Sequence, residues 1–214
     1  LKELQSMGVT APEILLTADP ALTLPAAGED EIDSVLLRAG IPPHGRYLCF
    51  ALRNWKGFEE KAPLLGQAAR YAYETYGLTP VFAAVEKYQD PSAGRLAAAG
   101  LDIPHYFLDD AGSAGTIIGA LSRMQAVVSM RLHALIFAAG QGIPLAGIVY
   151  DPKVSAFLRY IGQENFADLE ALDAGTLRHM IDLAAGAPVS PEAQAAAVEK
   201  LRQMEHGNVA TARR

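Results

Sequence analysis

The run Val127-Val128-Ser129-Met130-Arg131-Leu132-His133-Ala134-Leu135-Ile136-Phe137-Ala138-Ala139-Gly140-Gln141-Gly142-Ile143-Pro144 carries two periods in succession. From Ala126 to Met130 the chain is short and apolar without alternation, the pattern of a strand covered on both faces. From Leu132 the period changes: Leu132, Leu135, Ile136 and Ala139 recur at three and four positions and predict one helical face packed on a sheet. Gly140, Gly142 and Pro144 then punctuate the chain before the next apolar run, Leu145 to Tyr150. A strand, a helix and a second strand in this order form a parallel crossover.

The same alternation extends in both directions. Upstream, strands are expected at Tyr47 to Leu52, Pro80 to Val85 and His105 to Leu108, separated by helices at Phe58 to Tyr76, Pro91 to Ala99 and Ala114 to Arg123. Downstream, helices are expected at Val154 to Tyr160, Ala174 to Ala184 and Pro191 to Met204, the last favoured by its alanines. Strands joined by single helices give an α/β fold, a Rossmann-like parallel sheet with helices on both faces. That domain is placed at residues 45–205 and a frayed tail at 206–214. Residues 21–44, with Pro25, an acidic cluster and Pro42-Pro43, read as a connecting segment around one short helix. Residues 1–20 read as the remnant of a preceding domain: a helix end from Leu1 to Met7 closed by Gly8, then a strand from Glu13 to Thr17. Because Leu1 falls inside an amphipathic pattern, with neither an initiator Met nor a secretory signal, an amino-terminal half is expected before it.

Composition narrows the function. A formal net charge of −6 excludes a surface that attracts nucleic acid all over, and leaves room only for a local cationic pocket. Apolar runs such as Ala134 to Ala139 stop well short of the ~20 residues that cross a bilayer. Cys49 is the single cysteine and lies in an apolar strand, so a buried thiol and a cytoplasmic location are expected.

Ligands of open parallel sheets bind beyond the carboxyl ends of the strands, where helix amino termini offer unpaired N–H groups to an anion. Arg131 and His133 are expected there, in the first turn of the helix after Met130. A cation in that position requires either an acidic partner or a bound anion. Lys153 follows the next strand, 153 − 133 = 20 residues on, which is room for one helix and one strand, so the two converge on one edge. Arg53, followed by Asn54 and Trp55, ends an earlier strand on that same edge. Each has a plainer reading. By itself His133 is a packing residue, Lys153 an exposed lysine after a proline turn, Arg131 an ion pair at the strand-helix corner, and Arg53 a surface arginine stacked on Trp55. Asp109-Asp110 with Gly112 and Gly115 matches no phosphate-loop spacing and reads as a turn and helix cap. His44, His105 and His179 lack the spacing of metal ligands.

Met130-Arg131-Leu132-His133-Ala134-Leu135, Gly142-Ile143-Pro144 and Tyr150-Asp151-Pro152-Lys153-Val154 together resemble the signature of polysaccharide pyruvyl transferases, especially those acting on secondary cell-wall polymers. Thr17-Ala18-Asp19-Pro20-Ala21 resembles that family's domain junction, and Leu52-Arg53-Asn54-Trp55 the segment closing the first strand of its second domain. The resemblance implies the C-terminal half of a GT-B-like two-domain enzyme, with a missing N-terminal domain that supplies a further arginine across the cleft. It implies phosphoenolpyruvate as co-substrate with no cofactor or metal, and a lipid-linked or polymeric amino-sugar acceptor, met in the cytoplasm at the inner face of the membrane. It makes His133 and Lys153 the residues contacting phosphoenolpyruvate, and leaves Arg131 and Arg53 as further substrate-binding candidates. Two other functions fit the same strand-to-helix corner: a non-catalytic domain that binds a phosphorylated ligand, and a nucleotide-sugar glycosyltransferase.

Overall fold

The computed structural model describes residues 2–9, 17–186 and 191–212. Six strands form one all-parallel sheet: β1 Tyr47–Ala51, β2 Thr79–Ala83, β3 Tyr106–Leu108, β4 Ala126–Ser129, β5 Leu145–Val149 and β6 Phe166–Asp168. Their spatial order is β3-β2-β1-β4-β5-β6. Helices α1 Lys2–Ser6, α2 Glu29–Arg38, α3 Phe58–Tyr76, α4 Asp90–Ala97, α5 Ala114–Ser122, α6 Leu132–Gly140, α7 Pro152–Tyr160, α8 Ala174–Ile181 and α9 Pro191–Ala212 follow in chain order, with a 3-10 turn at Pro20–Thr23 and a π-helical turn at Asp182–Gly186. The Rossmann-like reading of the sequence is therefore the fold that forms.

The period-2 geometry of a strand divides each run between two cores. In β1, Tyr47, Cys49 and Ala51 face a layer built from α2, α5, α6, α7 and α9. Leu48 and Phe50, with Leu52 just beyond the strand, face a layer built from α3, α4 and α8. Both faces are covered, which is why β1 is apolar without alternation. Burial pushes the Cys49 thiol up to about 12, so the expected buried thiol is present.

Three elements differ from the sequence reading. Strand β6 was not foreseen, because Phe166-Ala167-Asp168 is too short to carry a period and takes its strand form from pairing with β5. Helix α6 was expected to bury one face, yet Ala134 through Ala139 are all buried. Helix α9 lies over its outer side: Arg202 Nη2 donates to the Gly140 carbonyl at 2.5 Å, and Val198 and Leu201 join the core. The short helix expected within residues 21–44 is α2, whose Ile32, Val35 and Leu36 are buried against α5.

The helix expected to end near Met204, with a frayed tail from His206, continues to Ala212, since no helix breaker other than Gly207 interrupts it. Its far end turns toward the start of the chain, where Asn208 Nδ2 donates to the Ala18 carbonyl at 3.2 Å. The strand expected at Glu13 to Thr17 lies, but for Thr17, outside the described residues.

Candidate functional site

The strand order makes the site. After β1 the chain crosses to β2 on one side, and after β4 it crosses to β5 on the other, so the connections part above the β1–β4 pair and leave a crevice at its carboxyl end. Arg53 and Trp55 enter from β1, Arg131 and His133 from β4, and Tyr150, Asp151 and Lys153 from β5. The four residues named from sequence thus rise from three adjacent strands.

Arg131 is the N-cap of α6, in extended backbone, and its side chain turns away from the helix. Nε donates to both carboxylate oxygens of Asp90 at 2.9 Å, and Nη2 to Oδ1. Asp90 is 2 % exposed at the amino end of α4, where a carboxylate is favoured, and it also accepts the backbone N–H of Val85 at 3.1 Å and Glu86 at 2.9 Å. Of the two partners a cation there requires, the structure supplies the acidic one. Of the two readings of Arg131, the ion pair at the strand-helix corner is the one this geometry displays: its charge is matched within the protein, at the corner between β4 and α6. Asp90 lies 41 positions away, so no local pattern announced the pair.

Arg53 is clasped between two rings. Its Cζ lies 5.0 Å from the centroids of both Trp55 and Tyr150, whose own centroids are 4.8 Å apart, and Nη1 donates to the Tyr150 hydroxyl at 2.9 Å. Stacking on Trp55 was readable from sequence; Tyr150, 97 positions on, was not. The Nε of Arg53 is buried with no hydrogen-bond partner among the described residues, and the same holds for Glu86 Oε2 on the neighbouring strand end. A buried, unpaired guanidinium N–H at a ligand edge is a donor in want of an acceptor.

His133 and Lys153 occupy equivalent places: each is the second residue of its helix, in α6 and α7, which follow neighbouring strands and pack together. Both side chains are open to solvent, 56 % and 50 % exposed. Helix α6 has no side-chain cap, so its first N–H groups face outward beside His133. The surroundings of the two differ. His133 Nε2 is 4.0 Å from Asp19 Oδ2, its ring lies 6.0 Å from that of Phe137, and it lines a hollow of about 350 Å³ with Lys87, Asp110 and Ser113. Lys153 Nζ is 3.7 Å from Asp151 Oδ2 and 5.8 Å from the Tyr150 ring, and does not line that hollow. In the His133 hollow, the Gly112 N–H and then Lys87 hold Asp110 below the usual carboxylate range, and Asp110 in turn raises Lys87. Ser113 caps α5 through a capping box with Thr116, as the turn-and-cap reading expects.

A second hollow, of about 450 Å³, opens between the β1 loop and the ends of β5 and β6, with Trp55, Tyr150, Asp151, Asp168 and Glu170 in its wall. The two acidic positions beyond β5 were missed with β6 itself.

A family model described as polysaccharide pyruvyl transferase matches residues 2–152, which takes in Arg53, Arg131 and His133 and stops one residue before Lys153. No curated protein matches the chain.

Proposed function

Because this chain belongs to the polysaccharide pyruvyl transferase family, we propose that it forms one wall of a site that moves pyruvate from phosphoenolpyruvate onto a sugar as a cyclic ketal. The observation that carries the reading is the placement of His133 and Lys153 at the same step of two adjacent helices, each open to solvent, beside an uncapped helix amino terminus. A phosphate seated over the α6–α7 seam would meet outward N–H groups, an imidazole and an ammonium. Arg53, with its unpaired Nε, is the next cation along the edge and suits the carboxylate of the same substrate. A second domain facing this edge closes the cleft in this proposal.

In the reaction, the methylene carbon of the enol ester takes a proton and becomes the methyl group, and positive charge develops at the adjacent carbon. One sugar hydroxyl attacks that carbon, the C–O bond to phosphate breaks, and a second hydroxyl closes the ketal. Two hydroxyl protons are released in all: one balances the proton taken up by the methylene, the other leaves with inorganic phosphate. Lys153 stabilises the leaving phosphate and His133 binds it, with an imidazole nitrogen placed to pass a proton. The acceptor is a lipid-linked or polymeric amino sugar, met in the cytoplasm. Among the described residues no helix is long and apolar enough to cross a membrane.

Isothermal titration with phosphoenolpyruvate tests this. Saturable heat in the wild-type chain that disappears in His133→Ala and in Lys153→Ala is expected, with unchanged far-ultraviolet circular dichroism. Heat with a nucleotide sugar and none with phosphoenolpyruvate overturns it in favour of a glycosyltransferase.

A further inference from the structure

We propose that the hollow walled by Trp55, Tyr150, Asp151, Asp168 and Glu170 is the subsite for the pyranose ring of the acceptor; the assignment deepens the transferase reading and rests on it. About 450 Å³ is within the ordinary range for a small-molecule site, and the wall combines two chemistries. The first is an aromatic surface. Trp55 is 45 % exposed although its ring is 4.8 Å from Tyr150 and clasps Arg53, so the platform is held rigid while one side stays open. The axial C–H face of a sugar ring is apolar and packs on such a surface at little entropic cost to the protein.

The second chemistry is a set of acceptors for hydroxyl protons. The side-chain oxygens of Asp168 and Glu170 make no hydrogen bond among the described residues, and Asp151 keeps one oxygen on the Lys153 N–H at 3.0 Å. Of the three carboxylates in the wall, Asp151 is paired with Lys153, and Asp168 and Glu170 remain beside Lys56. The unpaired carboxylates of Asp168 and Glu170 favour the hydroxyls of a neutral polyol over a phosphate ester. Tyr150 and Asp151 belong to the wall, and Lys153 follows two residues later at the start of α7, which puts a hydroxyl bound here next to the proposed phosphate position.

Trp55 is the chain's only tryptophan, so its fluorescence reports this hollow alone. Titrating the wild-type chain with methyl N-acetylglucosaminide should give a saturable change in Trp55 emission in the millimolar range, and choline at equal concentration should give none. By saturation-transfer NMR, the sugar's affinity should fall at least tenfold in Trp55→Ala. Asp168→Asn, an exposed substitution that leaves the fold alone, should weaken it about threefold or more. A response to choline in place of the sugar, or sugar binding unaltered in both variants, overturns the subsite. Phosphoenolpyruvate heat in the wild-type chain without any sugar response also overturns the subsite while leaving the donor reading intact. Sugar binding that is lost in Trp55→Ala, in a chain giving no phosphoenolpyruvate heat, upholds the subsite and removes the donor reading.

Discussion

Asp90→Ala tests the claim that Arg131 is held by the protein and not reserved for a ligand. The side chain of Asp90 is 1 % exposed and that of Arg131 16 %, so the pair is shielded from solvent and the carboxylate cannot be replaced by water without rearrangement. Removing one partner of a buried pair strands the other charge and costs about 3–5 kcal/mol. The N–H groups of Val85 and Glu86 lose their acceptor in the same step, which favours the upper end of that range. With a urea dependence of about 2 kcal/mol per molar, the unfolding midpoint should fall by roughly 2 M. Asp90→Asn keeps an oxygen for the two N–H groups and isolates the charge term. Arg131→Met removes the cation, and the double variant with Asp90→Ala should be at least about 2 kcal/mol more stable than the sum of the single losses predicts. The assay is urea denaturation followed by circular dichroism. Additivity within about 0.5 kcal/mol, or a loss below about 1 kcal/mol for Asp90→Ala, would refute the reasoning and favour the ligand-binding reading of Arg131.

Other outcomes follow from single positions. Cys49, with its thiol raised to about 12 by burial, should resist a disulfide reagent at pH 8 in the native chain and react at once in urea; rapid native labelling would contradict the packing of β1. Since its folded value lies above the ordinary one of about 9, the stability linked to this group is complete below pH 9 and is lost as pH rises toward 12, which denaturation midpoints across that interval would register. Gly66→Ala should destabilise the chain by about 1–3 kcal/mol despite the better helix propensity of alanine, because a Cβ there would stand 2.5 Å from the backbone carbonyl oxygen of Ala97 where α3 meets α4; a rise in melting temperature would show that the two helices have room to part.

The sequence by itself determined the layered α/β fold and the sheet edge to which the four candidate residues belong. Runs such as Tyr47 to Leu52 and Ala126 to Met130 lack alternation because both faces are buried, and that property belongs to the residues themselves. The step at Arg131 from an unalternating apolar run to a 3.6-residue period placed His133 at a helix start without any knowledge of neighbours, and the spacing to Lys153 placed both after successive strands. Tertiary structure alone decided what each cation meets. Asp90 reaches Arg131, Tyr150 reaches Arg53 and α9 covers α6 only once the strand order 3-2-1-4-5-6 is set, and a strand as short as β6 exists through its pairing with β5. The physical reason is range: backbone periodicity is local and is written in consecutive residues, whereas partners of buried charges are chosen by a topology that brings together positions 41 and 97 residues apart.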